Sequence, residues 1–600
     1  MAGSSGEGYG SLRGGVAMKD ADPGAWTPID TVAVTVLLAM AALLAWRTDA
    51  IGPTVDEPLH LVRGLAWWWT DSTRLSFAHP PLANILQAAP AGFVEPIDLT
   101  SFRGWDDSNH AMIATQLVEA HYDVFRPLLM AGRRVTSALG VGLALAVYAW
   151  TSWRFGRRIG LAALLMVAFN PTILAHAQLV TTDLPVTLAI FVVTAAFVEY
   201  LRADATNRLA GAMSLAAFAV AVAVALCTKF TALALVPLFA ITGAVWAIRG
   251  WGRFAEPRPW RRFGRLGLEM ATVAGVSLVG IAAVYRFEDV GLTMAEVLAH
   301  PEPQLWLTRR FDHGLLEQRP LWSSLPDGLV MPVPYTWLFG IEMVRHHAAT
   351  GHETWFAGMR YSLGHPAYFP VMLLIKTPWV VWLGFGLAGA GLVRERRWPT
   401  GPTAVVLLVT GALLLLLMRS NLNIGVRHAL PLVPLISVVA ASALVPWLEG
   451  VWARWGRGGQ LVVGSLLLSL PVVAVAEAGT YLSWFNIGSA GYAFSIVGED
   501  WGQDSVRLAA LVKNEGLDDV VYFPNGLSAA AEVRHRGAEV TVGSCFRRPV
   551  PGGAWLVMHA ANAKRRLRCV QRLVGERDPD RIVGSHLWLW RTPERAIRAP

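Results

Sequence analysis

Charge and cysteine are both scarce in this chain. Of its 600 residues only 16% are charged, where soluble proteins carry roughly a quarter. With 54% hydrophobic residues and a mean hydropathy of +0.42, that shortage excludes an ordinary soluble multidomain protein. Three cysteines are too few for a disulfide framework. Cys545 and Cys569 fall in the polar C-terminal part and can pair if that part lies outside the cytoplasm; Cys227, beside an apolar run, reads as a small packed residue. Lysine is rare beside arginine, a bias of genome composition to which no function attaches. There is no internal repeat and no Gly-rich phosphate loop of the dinucleotide or nucleoside-triphosphate kind. No convincing cleavage site follows the Gly- and Ser-rich start, so residues 1–29 are expected to be a disordered cytoplasmic tail rather than a signal peptide.

What is abundant is apolar sequence in runs of membrane-spanning length, about 20 residues each. About eleven spans are predicted from these runs: Thr31–Trp46, Val135–Trp153, Ile159–His176, Leu184–Leu201, Leu209–Leu226, Phe230–Ile248, Leu266–Tyr285, Phe369–Val393, Thr403–Met418, His428–Trp447 and Leu461–Ala478. The net charge of +8 does not indicate nucleic acid, because the arginines sit in short clusters between spans. Those clusters (Arg154 to Arg158, Arg202 and Arg208, Arg249 to Arg265, Arg394 to Arg397, Arg454 and Arg457) share one parity. By the positive-inside rule the N-terminus is then cytoplasmic and the C-terminal part outside, as in a multi-pass protein of the cell membrane. The junction Cys227 to Lys229 has no Gly or Pro turn, and fusing the two spans there would invert every later one.

The chain thus divides into a transmembrane domain, 30–479, with long outer loops 47–134 and 286–368, and an extracytoplasmic domain, 480–600. Loops of that length are usually functional. Trp67, Trp68 and Trp69 suit helices lying in the membrane interface. From Trp501 onward a helix, Ser505–Lys513, and strand-like runs Asp519–Phe523, Glu539–Val542, Ala554–His559 and His586–Arg591 describe a small α/β module.

The charges in or beside apolar segments all fall at the predicted outer face: Asp56, Glu57 and His60, Arg133 and Arg134, Asp183, Lys229, Lys376, Arg427 and His428. Each costs a few kcal/mol near hydrocarbon even on lenient scales, which makes it a functional candidate. Each also has a plainer reading. Asp56, before Glu57-Pro58, and Asp183, before Leu184-Pro185, stand where helix caps stand. His60, four residues on from Asp56, shares its helix face. Lys376, about two turns into a span, can snorkel to the headgroups. Two acids with cations nearby suit one task in particular. A carboxylate takes the proton of an attacking hydroxyl while cations stabilise a departing phosphate.

These stretches resemble the GT-C class of integral membrane glycosyltransferases, and in particular the dolichyl-phosphate-mannose protein mannosyltransferases with their bacterial relatives, the lipid A aminoarabinose transferases. The resemblance lies in Val55-Asp56-Glu57-Pro58-Leu59-His60, His79-Pro80-Pro81-Leu82, Leu179 to Pro185, Thr228 to Leu233, Tyr368 to Pro370 with Leu374 to Pro378, Asn423 to His428, and Asp500-Trp501-Gly502-Gln503-Asp504. It implies an all-α polytopic GT-C fold and a sugar donor carried on a polyprenyl or dolichyl phosphate. The sugar, mannose in the eukaryotic members, would pass with inversion to an extracytoplasmic protein, cell-wall glycan or lipid. On that pattern Asp56 is the general base or the residue that positions the acceptor, supported by Glu57, and Asp183 is the second outer acid, which in some members helps hold a divalent metal or the acceptor. Arg134, Lys229, Lys376, Arg427 and His428 are candidates to bind the lipid phosphate, with His60 and His79 supporting. Asp56 and Asp183 are also the candidate ligands of a divalent cation, Mg²⁺ or Mn²⁺, which the residues alone neither require nor exclude. Nothing matches the lumenal sugar-binding domain of the eukaryotic members, which puts a protein acceptor in question. Two other classes compete: a multi-pass transporter, disfavoured because no repeated halves or midplane polar cluster is present, and a non-catalytic scaffold for envelope assembly.

Overall fold

The computed structural model describes residues 26–204, 206–300, 322–396, 401–495, 499–526, 528–543, 550–565, 567–575, 577–584 and 586–594. The expected tail up to residue 25 and the Cys545–Cys569 pairing lie outside the described residues. The chain is mostly helical, with a small mixed sheet near its C-terminal end. Among the described residues seven helices are long and apolar enough to cross a membrane, beginning with Pro28–Arg47 and ending with Leu432–Ala476.

Each predicted apolar run has a helical counterpart, but several are shaped differently. The run predicted as Phe369–Val393 is two helices, Tyr368–Lys376 and Trp379–Glu395, with the chain bent by 118° between them. Pro378 causes the break, since it has no N–H to continue the ladder and forces Thr377 out of the helical region to an extended φ/ψ of −121°/136°. The last two runs are two helices that meet end to end within Leu432–Ala476, broken at Gly456, where φ of 52° and ψ of −123° suit a residue without Cβ. The third run stops at Ala168 and restarts as Pro171–His176, with the Asn170 side chain capping the new start. At the junction in question Arg208–Thr228 ends, Lys229 is extended (φ −158°), and a 3₁₀ turn, Phe230–Ala234, follows, so the two spans do not fuse.

The second span begins thirteen residues earlier than predicted, at Tyr122, and continues to Phe155. Arg133 and Arg134 are therefore inside a helix instead of opening one. The remainder of the first long loop is folded: the helix Glu57–Trp69 buries Leu61, Val62, Leu65 and Ala66 against Ile113, Leu117, Phe125 and Leu129 of its neighbours. The three tryptophans donate their indole N–H groups to the carbonyls of Val284, Ile85 and Ala91. These bonds spare the buried acceptors the cost of going unpaired.

The C-terminal module is a five-stranded sheet, β4–β3–β5–β7–β6, built from β3 (Val520–Phe523), β4 (Thr541–Val542), β5 (Trp555–His559), β6 (Arg581–Val583) and β7 (Leu587–Arg591); the short hairpin Thr354–Phe356 (β1) and Met359–Tyr361 (β2) lies elsewhere. β3 runs parallel to β4 and β5, and β7 antiparallel to β5 and β6. Alternate residues serve opposite faces, Tyr522 packing with Leu508 and Val533, Phe523 with Leu556 and Leu573. Both faces are covered, which is why β3 has no polar residue. The expected strands are present with shorter limits, and β6 escaped the sequence because three residues carry no alternation to read.

The helix Asp183–Arg202 fixes the polarity of the bundle. Its 20 residues place Asp183 and Arg202 at opposite ends, about 30 Å apart. Near the Arg202 end the arginine-rich connections are tied to acids: Arg253 to Glu269, Arg154 to Glu199 and Arg158 to Glu449.

Candidate active site

At the Asp183 end two ion pairs come together from four parts of the sequence. Asp56 is the residue before the helix Glu57–Trp69, yet its side chain makes no capping bond. It instead accepts from Nη1 of Arg427, which lies 371 residues away in a 3₁₀ turn, Val426–Ala429. Asp183, first residue of its helix, accepts from Lys229 Nζ at 2.6 Å. The extended conformation of Lys229 aims its ammonium back at that helix start. The plain capping reading therefore fails for both acids, because a distant cation outcompetes the local N–H groups.

The two pairs sense one another's charge: Asp183 acts on Asp56, on Arg427 and on His60. His60 stacks on His79 with ring centroids 5.4 Å apart and accepts at Nδ1 from Asn84 Nδ2 at 3.1 Å. Burial, then the positive charge of Arg63, brings the His60 imidazole down to about 3, so it is neutral at physiological pH. Burial and Lys229 hold His79 well below its ordinary value too. For Asp56, burial pushes the carboxyl up, but the charge of Arg427 and the bond from it outweigh that, keeping the group below its usual range. His428 lies flat on Phe369, centroids 6.3 Å apart, within the field of Lys229, Arg427 and Asp183.

The pocket's cations are not saturated. Among the described residues Arg427 Nε is buried and has no hydrogen-bond partner, and the Asp56–Arg427 pair keeps side-chain exposures of 25% and 14%. A guanidinium held on one side by a carboxylate and unpaired on another can take an anionic oxygen.

Three other predicted residues are placed differently. Glu57, adjacent to Asp56, is fully buried on Arg133, with Arg133 Nη2 2.5 Å from its Oε2 and Nε 2.8 Å from its Oε1. Its oxygens also accept from the backbone N–H groups of Thr54 and Val180, so no lone pair is left for a substrate. Lys376 is 1% exposed, bonds Glu499 at 2.5 Å and the Leu482 carbonyl at 2.8 Å, and lies 4.4 Å from the centre of the Phe485 ring. It neither snorkels nor presents a free charge. Arg134 is exposed on the helix Tyr122–Phe155. As for a divalent cation, no cluster of three or more His, Cys, Asp or Glu able to hold one occurs among the described residues. The donor set does not fit: both candidate carboxylates already carry a cationic side chain.

Two residues reach this pocket without having been singled out. His176, at the end of Pro171–His176, is 1% exposed, with Nδ1 unpartnered, and feels Asp183, Arg427 and Lys229. Trp501 packs its ring 4.3 Å beneath the Arg427 guanidinium and 5.6 Å from the His176 ring. An imidazole inside an apolar stretch was the available signal for the first; for the second it was the motif around it.

No family model matches the chain, and no curated protein does. Among solved structures it is similar to ArnT from Cupriavidus metallidurans bound to undecaprenyl phosphate, at 14% identity and a TM-score of 0.45 over 94% of this chain and 96% of that one. It is also similar to the archaeal oligosaccharyltransferase AglB from Archaeoglobus fulgidus, in complex with an inhibitory peptide and a dolichol-phosphate, at 11% identity and 0.43 over 89% and 69%. The Pmt1–Pmt2 protein O-mannosyltransferase complex of S. cerevisiae bound to the sugar donor follows at 14% and 0.31 over 45% and 39%. These are proteins of the kinds the sequence motifs resemble, but identities this low with TM-scores below 0.5 do not by themselves give the chain a family.

Proposed function

We propose that the chain is a membrane glycosyltransferase of the GT-C kind, moving a sugar from a polyprenyl- or dolichyl-phosphate donor to an extracytoplasmic acceptor. The observation that carries this is the pairing of Asp56 with Arg427 beside Asp183 with Lys229, four residues of the quoted motifs converging at one end of an apolar bundle, with the Asp56–Arg427 pair partly exposed. A carboxylate held ionised is ready to orient and deprotonate a hydroxyl. The partly exposed guanidinium of Arg427 supplies the charge that binds the donor phosphate.

The reaction then runs as a single displacement. The acceptor oxygen, its proton passing to Asp56, forms a bond to the anomeric carbon from the side opposite the phosphate. The bond from that carbon to the phosphate oxygen breaks, the electron pair leaves with the lipid phosphate, and the configuration inverts. Arg427, with Lys229 adding to the local positive field, stabilises the charge gained by the leaving group and so favours the transition state over the bound donor. Asp183 keeps Lys229 in place. The positive-inside pattern puts this end of the bundle outside the cytoplasm, where a lipid-linked donor meets a protein, glycan or lipid acceptor. Cysteines introduced on the connection at residue 205 and at Ala490 should accordingly label from opposite sides of the membrane.

The test is transfer from radiolabelled polyprenyl-phosphate sugars, mannose first, by the full-length chain in lipid nanodiscs supplied with an envelope extract. Label moving to an acceptor supports the class and marks the acceptor. Neither transfer nor donor binding with any lipid-linked sugar would refute it.

A further inference from the structure

The segment Asp500-Trp501-Gly502-Gln503-Asp504 touches Arg427 and the backbone just before Asp56 by independent contacts. Toward Asp56, the Trp501 carbonyl accepts from the N–H of Val55, the residue immediately before it, at 2.9 Å, and the Gln503 carbonyl accepts from Gly52 N–H at 2.8 Å. Toward Arg427, the Trp501 indole lies under the guanidinium at 4.3 Å, itself only 4% exposed. A guanidinium on an indole face is the stronger form of this contact, and burial strengthens it.

The segment is rigid at its other end. The Asp500 carboxylate is held by the Ala561 N–H at 3.1 Å and lies 2.8 Å from His559 Nδ1, while Asn525 Nδ2 donates to the Asp500 carbonyl at 2.8 Å. Gln503 closes it internally, accepting from Trp501 N–H and donating to the Glu499 carbonyl, both at 2.7 Å. Gly502 has φ of +88°, and a Cβ there would lie 2.2 Å from the Asn525 carbonyl oxygen, so the segment is seated directly on the sheet module.

We infer that Trp501 is a positioning residue that holds Arg427 against Asp56, so that the C-terminal module completes the pocket and is part of the reacting unit. This rests on the glycosyltransferase reading for its consequence in turnover, but the placement of Arg427 is measurable without it. Without the ring, Arg427 is free to leave the carboxylate, and Asp56 loses the charge that opposes its burial. The acid limb of the pH–rate profile then moves to higher pH, which a merely structural defect would not do.

The experiment uses the full-length chain in nanodiscs as wild type, Trp501→Met (apolar bulk without a π face), Trp501→Phe (a smaller π face) and Gly502→Ala (the segment displaced with the ring intact). Two quantities are read: the rate of phenylglyoxal modification at Arg427, by mass spectrometry, and the pH dependence of kcat with polyprenyl-phosphate mannose. Trp501→Met is expected to raise Arg427 modification about tenfold and lower kcat at least about tenfold, with donor KM within about threefold and the acid limb at higher pH. Gly502→Ala should shift both readouts in the same direction, and Trp501→Phe should restore most of each. Arg427 modified at the wild-type rate in both Trp501→Met and Gly502→Ala would overturn the inference. The modification contrast appearing in a chain that transfers no sugar would uphold the positioning contact and refute the glycosyltransferase reading instead.

Discussion

Asp56 and Glu57 are consecutive acids, each paired with an arginine from a distant segment, and their surroundings differ completely. The Glu57–Arg133 pair is sealed at 0% exposure, with backbone N–H groups filling the remaining positions on the carboxylate. The Asp56–Arg427 pair stays partly open, and its arginine keeps an unpartnered Nε. A buried ion pair is often no better for stability than an apolar replacement, but breaking one half of it is expensive. Full satisfaction therefore marks Glu57 and Arg133 as a tie between the start of the helix Glu57–Trp69 and its neighbours. On the proposed function, the partial exposure of Asp56 and Arg427 is what leaves them available to substrate.

The sharpest way to break this contrast is to neutralise the sealed pair. Glu57→Gln leaves Arg133 charged and unpaired, and should cost about 3–5 kcal/mol of stability, read as a lower melting temperature and poorer recovery in nanodiscs. An unchanged melting curve would mean the pair is not structural. Lys376, sealed on Glu499, belongs with Glu57: Lys376→Met should lower stability by about 3 kcal/mol while leaving the affinity for polyprenyl phosphate unchanged. Loss of that affinity in a well-folded variant would return Lys376 to the donor site.

Arg427→Met tests the open pair. The loss of a charge-stabilising donor should reduce turnover about 10²-fold, and the acid limb of the pH–rate profile should rise as Asp56 loses the influence that keeps it low. A profile shifted to lower pH would contradict the pairing. The smallest effect concerns His60. Its folded-state value of about 3 lies below the ordinary 6.5, so the stability it contributes is complete above pH 6.5 and is lost as pH falls toward 3. Between pH 7 and 5 the loss is at most about 2 kcal/mol, and His60→Gln should flatten that part of the melting–pH curve. An equal slope in the variant would place the titrating group elsewhere.

Much of the bundle was legible because apolar runs of spanning length can hardly be anything else. The breaks were less so: Pro378 and Gly456 act on backbone geometry inside runs whose composition does not change. Asp56 and Asp183 stood out as charges beside hydrocarbon, but sequence could not separate a cap from a distant ion pair, since Arg427 lies 371 residues from Asp56 and Lys229 lies 46 from Asp183. The same blindness affects Lys376, whose cost is visible locally while the group that satisfies it, Glu499, lies 123 residues on. Arg133 and Arg134 looked alike as neighbours, and only the earlier helix start separates a buried tie from an exposed side chain. Trp501 was visible only as part of a motif, because stacking on a guanidinium leaves no local pattern.

The most direct test of the central claim is Asp56→Asn, with sugar transfer and thermal melting measured on the same nanodisc preparation. Transfer should fall by about 10²- to 10⁴-fold while the melting temperature stays near that of wild type. Transfer persisting in a folded Asp56→Asn protein would contradict the assignment of Asp56 and, with it, the division between the open and the sealed pair.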